Sequence, residues 1–295
     1  MVFVLATLCC LFWGSSYPAI KGGYALFGIA PADIPGKLVF AGWRFTLAGL
    51  ILLGFAVATG KSLSRLSRQQ WRDVTQLGLF QTTIHYIFFY VGLANTTGVK
   101  GSVLNGAVSF FGVFLAHFLV PGDRMTKAKL AGCMVGFLGV LVVNFNPELF
   151  DFRFTLLGDG FVLIAALMMA AAMVYGKRIS QTLDSTVMTG YQLAIGGIVL
   201  LVAGFLLGGQ LAPLTWTSAG VMTFLIFNSS IALSLWSVLL KYNGVAMISV
   251  FNFLVPIFGA VLSALFLGES ILEWKNLVAL VLVCSGIGLV NRRFR

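Results

Sequence analysis

Charge is what this sequence lacks most. Only 9% of its 295 residues are Asp, Glu, Lys or Arg, while 59% are hydrophobic; a soluble domain carries roughly a quarter charged residues. So little charge cannot cover a water-exposed globule, and so apolar a chain has ample surface to bury, which excludes disorder. Acidic residues are scarcer still, nine against nineteen basic ones. The basic residues are scattered between apolar runs, not gathered on one face, and this excludes a nucleic-acid-binding surface. Cysteine is rare, and Cys9, Cys10, Cys133 and Cys284 all fall in apolar runs, where a thiol acts as a small hydrophobe and not as part of a disulfide framework. The two histidines, His85 and His117, have no ligand spacing, so neither a metal site nor a cofactor is expected. No basic segment precedes the first apolar run, so the N-terminus does not read as a secretory signal.

What is present is a succession of long apolar runs. A bilayer-spanning helix takes about 20 apolar residues. Ten runs qualify, at about 2–24, 37–59, 73–95, 99–120, 127–145, 156–178, 185–208, 216–241, 245–267 and 273–291. The chain therefore reads as an all-α integral membrane protein with ten transmembrane helices. Alternating ten-residue segments, the mark of a membrane barrel, are absent. Lys and Arg fall mainly on one side of this ladder: 13 in the second, fourth, sixth and eighth connections and the C-terminal tail, against six on the other side. Both termini are accordingly expected in the cytoplasm of a bacterial inner (plasma) membrane.

The chain repeats itself. Ser102, Asn105, Ser109 and Gly112 have the spacing of Ser249, Asn252, Pro256 and Gly259, at an offset of 147; Gly139 and Gly286 share that offset, as do Val143-Asn144 and Val290-Asn291. Gly122-Asp123 and Gly268-Glu269 match at 146, and Arg44 to Gly49 aligns loosely with Gln192 to Gly197. Five spans per copy is an odd number, so the second copy must enter the membrane from the opposite side. The domain reading is a first five-helix repeat at 1–145, an external connection at 146–155 and a second, inverted repeat at 156–295, with a site near the midplane between them.

Trp13-Gly14-Ser15-Ser16 followed by Lys21, Arg44-Phe45 in the second span, Gly98-Val99 before the fourth, and Phe266-Leu267-Gly268-Glu269 with Pro256 in the ninth together resemble the EamA family of the drug/metabolite transporter superfamily over nearly the whole chain. Ser109 or Phe110 stands where the first repeat of that family often has proline, and Asp123 where glutamate is usual. The resemblance implies a transporter of small metabolites built of five plus five helices, often an exporter, and leaves the substrate open.

All nine acidic residues lie in loops or at span ends, so no intramembrane carboxylate is available as a proton relay or cation site. A neutral or zwitterionic solute suits such a site better than a bare cation. Gln81, His85 and Phe88 share one helical face, with Tyr86 beside them. An unpaired polar group in hydrocarbon costs several kcal/mol, so this face is expected to point inward. There His85 either meets the substrate or bridges two helices. Asn105 and Ser109 on the fourth span and Asn252 on the ninth lie on small-polar stripes that suit a cavity or a helix interface alike. Asn228 and Trp236, Trp13 and Tyr17, and Tyr191 complete the candidate substrate-binding set. Pro256 frees a carbonyl and weakens its helix, as a hinge would. Lys21 and Arg44 read as residues near the outer helix ends that snorkel to the headgroups, with Lys21 alternatively guarding the outer vestibule as a gate. The Gly132-Gly136-Gly139 face is a packing or dimer contact, and the chain is expected to be a monomer or weak homodimer.

The function expected is secondary transport of an amino acid or similar polar or amphipathic solute, with the bilayer and the small molecule as its only partners. A flippase or scaffold handling lipid or hydrophobic compounds is the alternative. An enzyme is not expected, since no Ser-His-Asp arrangement, ligand cluster or intramembrane carboxylate is present to run chemistry.

Overall fold

The computed structural model describes residues 1–63, 66–96, 98–145, 154–267 and 274–291, and these are helices joined by turns. Helix α1 (Val2–Leu26) and helix α2 (Ile34–Ala58) have 25 residues each, about 37 Å of helix at 1.5 Å per residue. The turn between them is shorter than the Lys21–Gly36 break in the sequence suggests. Asp33 accepts a 2.8 Å hydrogen bond from the Gly36 amide and Pro35 fits the first turn, so α2 starts at the prolines that read as loop.

The next span, Arg68–Ala94, has three parts: α3 (Arg68–Leu77), a π-helical stretch (Gly78–Ile84) and α4 (His85–Ala94). Another breaks at Gly106 into α5 (Gly98–Asn105) and α6 (Ala107–Leu119), and α7 (Lys127–Val143) follows. A π-helical turn (Leu156–Gly160) leads into α8 (Phe161–Ser180), then come α9 (Ser185–Leu206) and α10 (Trp216–Tyr242). The segment from Val245 is broken again: α11 (Val245–Ser249), a tight 3-10 turn (Val250–Phe253) and α12 (Leu254–Leu267), before α13 (Trp274–Asn291). Among the described residues, eight helices are long and apolar enough to cross a membrane, while α7 and the apolar part of α13, Leu277–Asn291, are shorter. The chain is a multi-pass helical membrane protein. Polar caps mark its helix starts: Ser67 with Gln70, Thr126, Asp184, and Thr215 with Ser218.

In a membrane, helices associate through close backbone approach at small residues. Helix α2 meets α9 in this way. A Cβ on Gly49 would lie 2.3 Å from the Ala194 amide nitrogen, and one on Gly197 would lie 2.4 Å from that of Thr46. Helix α7 meets α13 likewise, with a Cβ on Gly132 falling 2.6 Å from the Gly286 carbonyl oxygen. The Gly132-Gly136-Gly139 face is thus spent on packing inside the chain. Helix α1 packs on α10 and α12, and α8 packs on α4 and α6. Two large apolar clusters result. One gathers Trp236, Phe251 and Phe253 with Trp13 at its edge; the other gathers Phe40, Phe45 and Tyr90 with Tyr86 at its edge.

Several features singled out in the sequence lie outside the described residues: Arg65, Glu148, Asp151, Arg153, Gly268-Glu269, Glu273, the tail arginines, and most of the 146–155 connection.

Candidate functional site

The polar groups of α1 and α10 meet half-way along both helices. The Asn228 carboxamide, 2% exposed, donates from Nδ2 to the Phe12 carbonyl (2.8 Å) and Ser15 Oγ (2.9 Å). Its Oδ1 accepts from Ser16 Oγ at 3.2 Å. Sequence reading placed Arg44 near the outer helix end as a snorkelling cation, and the structure corrects this. Residue 44 is the eleventh of the 25 in α2 and is only 5% exposed. Its Nε donates to Ser229 Oγ (2.7 Å) and its Nη2 to Ser16 Oγ (3.4 Å). Its guanidinium carbon lies 5.0 Å from the Phe45 ring centroid, and the hydroxyls of Tyr24, Tyr86 and Tyr90 are within electrostatic reach. Lys21, in contrast, is exposed near the end of α1.

The π-helical stretch before α4 changes the face that a regular helix predicts. A π turn takes i to i+5 hydrogen bonds and shifts the side chains that follow. Gln81 therefore leaves the His85 stripe. It lines a small cavity of about 10 Å³ with Leu77, Gln192 and Trp236, about the space of one water molecule. The donors Gln192 Nε2 and Trp236 Nε1, which have no protein acceptor, belong to residues of this same cavity wall. His85 turns inward as predicted, 7% exposed, with Nδ1 2.9 Å from the Ala165 carbonyl oxygen. Its ring meets Tyr86 edge-on at 4.9 Å and stacks with Phe89 at 5.9 Å. Tyr86 in turn packs 4.7 Å from Phe45, so the His85 aromatics and the Arg44 network are neighbours.

The remaining predicted residues fall into separate places. Trp13 packs on Trp236 at 4.7 Å. Tyr17 keeps 44% of its surface exposed, although its ring lies 3.1 Å from where a Gly259 Cβ would stand on α12 and its hydroxyl is within electrostatic reach of Tyr86. Ser109 donates to the Ser249 carbonyl (2.9 Å), and Asn252 Nδ2 donates to the same oxygen (3.0 Å). That pair ties α6 to the broken segment in front of Pro256. Asn105 is half-buried at the α5–α6 break. Tyr191 does not join the others: its hydroxyl is held by the Leu63 carbonyl (3.1 Å) and its ring by Trp71 (4.7 Å), at the far end of α9.

The family model described as the EamA-like transporter family matches residues 1–145 and 156–292. The chain belongs to the EamA family. Among its relatives is "Uncharacterized transporter YvbV" of Bacillus subtilis, 30% identical over 294 residues, covering 96% of this chain and 89% of that one. Another is "Uncharacterized inner membrane transporter YedA" of Escherichia coli, 26% identical with 94% and 88% covered. A crystal structure described only as that of a protein superposes with a TM-score of 0.77 at 18% identity, covering 98% of this chain and 96% of that one, which shows a shared fold.

Within this EamA chain, sequence reading missed the inward placement of Arg44 and the parts of Ser15, Tyr24 and Tyr90 beside it. One signal could have found Arg44. The loose match of Arg44–Gly49 to Gln192–Gly197 pairs the arginine with another polar residue inside an apolar run, and the structure buries both, at 5% and 2% exposed.

Proposed function

We propose that the chain is a secondary transporter of a small organic metabolite, an amino acid or similar amphipathic solute, exporting it across a bacterial inner membrane by alternating access. Two inverted five-helix repeats, 1–145 and 156–295, would rock about a site at mid-membrane, with both termini cytoplasmic and the chain acting as a monomer or weak homodimer. The observation that carries this reading is a matched pair of helix breaks. The α5–α6 break at Gly106 and the 3-10 turn ending at Phe253 are 147 residues apart, the offset of the sequence repeat. Packing supports it too: α1 on α10 and α12 is exchanged for α8 on α4 and α6 when each span is replaced by its repeat mate. The inner-membrane transporter name of the YedA relative agrees in location.

The site is the space bounded by Tyr17, His85, Tyr86 and Phe89, with the Asn228 and Ser16 network as its polar floor. The first repeat supplies the aromatics and the second supplies Asn228. A cavity of about 730 Å³ between the start of α3 and the end of α8, lined by Arg72, Gln76, Tyr175 and Arg178 among others, is the inner vestibule in this reading. Pro256 serves as a hinge and Lys21 stands at the outer mouth.

The test is solute counterflow in proteoliposomes, with radiolabelled amino acids and organic acids presented to vesicles preloaded with each unlabelled compound. Accumulation of at least one solute, abolished by protein-free controls, is the expected result. No accumulation across the panel would sink the transporter reading.

A further inference from the structure

The Arg44 guanidinium has no counter-charge among the described residues. It carries five N–H donors, and the hydroxyls of Ser229 and Ser16 take two of them. Every described carboxylate is engaged elsewhere: Asp33 caps α2, Asp73 receives Tyr175, Asp123 receives Lys129, Asp159 receives Thr96, and Asp184 receives Lys61. No carboxylate among the described residues pairs with Arg44. Its Nη1 has no acceptor there and yet is not among the fully sealed orphan atoms, so it opens onto accessible space. A guanidinium at mid-membrane depth is costly, and such residues are kept where they face a cavity or a partner. Two hydroxyls fix its orientation, and the half-exposed Tyr17 follows Ser16, one of those two, on α1.

We infer that Arg44 is the anchor for the carboxylate of the transported solute, with Tyr86 and its neighbouring aromatics packing the solute's apolar part. This deepens the transport reading and rests on it. Guanidinium and carboxylate match as a bidentate pair. A single basic residue fits a monocarboxylate. Phosphate carries more charge, and the next lysine on α2, Lys37, is committed to the Pro31 carbonyl two turns away.

Purified protein would be titrated with 3-phenylpropionate, with 3-phenylpropionamide and with inorganic phosphate, reading thermal stabilisation in the native chain, in Arg44→Gln and in Arg44→Lys. A charge-assisted pair is about twice as strong as a neutral hydrogen bond. The acid should therefore bind the native chain at least about tenfold more tightly than the amide, with no competition from phosphate. Arg44→Gln should bring acid and amide level. Equal binding of acid and amide by the native chain would overturn the assignment. So would an unchanged acid preference in Arg44→Gln, competition by equimolar phosphate, or no binding by any of the three. If Arg44→Gln does not fold, Arg44→Lys decides: it keeps the charge and loses the fork, so the acid preference should fall severalfold, and an undiminished preference refutes the anchor. Counterflow separates this from the transport reading. Acid binding without counterflow removes transport and leaves the anchor, whereas counterflow with no acid preference removes the anchor and leaves transport.

Discussion

Replacing Asn228 by alanine tests the network that joins α10 to α1 half-way along both helices. The substitution deletes three hydrogen bonds between α10 and α1, at 2.8, 2.9 and 3.2 Å. Ser15 and Ser16 are not orphaned, since both hydroxyls already reach the Phe12 carbonyl, at 2.8 and 3.3 Å. The loss is therefore that of the bonds themselves, with no added penalty for buried unpaired groups. Interhelical hydrogen bonds in membrane proteins average about 0.6 kcal/mol, which gives about 2 kcal/mol for three. The void left by the carboxamide adds about 0.5 kcal/mol. The expected destabilisation of about 2.5 kcal/mol is a shift of roughly seventyfold in the unfolding equilibrium. Reversible unfolding in mixed micelles measures it, and a Ser15→Ala/Asn228→Ala cycle should return a coupling near one bond's worth. Ser16, which also accepts from Arg44, loses one of its three partners, so acid binding at Arg44 should weaken severalfold. A loss below about 0.5 kcal/mol with zero coupling would refute the claim that this carboxamide holds α1 to α10.

Other substitutions probe other links. Gly286→Val places its Cβ 2.5 Å from the Gly132 carbonyl oxygen and should abolish monodisperse protein in size-exclusion chromatography. Gly288→Ala, with nothing within 4 Å, should leave the profile unchanged. Asp123, 8% exposed, receives Lys129 Nζ at 2.7 Å and the Ala246 amide at 3.0 Å, clasping the α6–α7 turn to α11. Asp123→Ala should cost about 3–5 kcal/mol in the same unfolding assay, as loss of a buried ionic partner does, while Asp123→Asn, at a turn between helices, should keep over half the transport if the proposed reading is right. Asp184 is pushed up by partial burial but more strongly down by Lys61 and the Val187 and Thr186 amides, leaving its carboxyl below the ordinary 3.8. Its contribution is therefore present above pH 3.8 and fades as the pH falls through the lowered value; the stability gap between the native chain and Asp184→Asn should hold at neutral pH and narrow as the pH falls below 3.8 in thermal unfolding.

Hydropathy made the helices legible, because a bilayer demands long apolar runs whatever their packing. It could not give depth. With the second span drawn from residue 37, Arg44 looked like a residue near the membrane surface; the Asp33 cap and Pro35 start the helix three residues earlier and bring the arginine to its middle. The face of Gln81, His85 and Phe88 was read with a 3.6-residue period, and the π-helical stretch before His85 separates Gln81 from it. Nothing local in Gly78–Ile84 announces that geometry. It follows from packing, as Thr83 donates to the Gly196 carbonyl (3.0 Å) and a Gly78 Cβ would sit 2.7 Å from the Gln192 carbonyl oxygen. Tyr191 was grouped with the site on aromatic character alone, and its partners Leu63 and Trp71 lie in stretches far away in sequence.

Alternating access about a central site is tested most directly at Tyr17. In a chain with Cys9, Cys10, Cys133 and Cys284 replaced by alanine, Tyr17→Cys would be exposed to a membrane-impermeant thiol reagent in right-side-out and in inside-out vesicles. Labelling from both sides, slowed on both by a saturating transported solute, is the outcome this account predicts. Labelling from one side only, unaffected by solute, or from neither side, would contradict it.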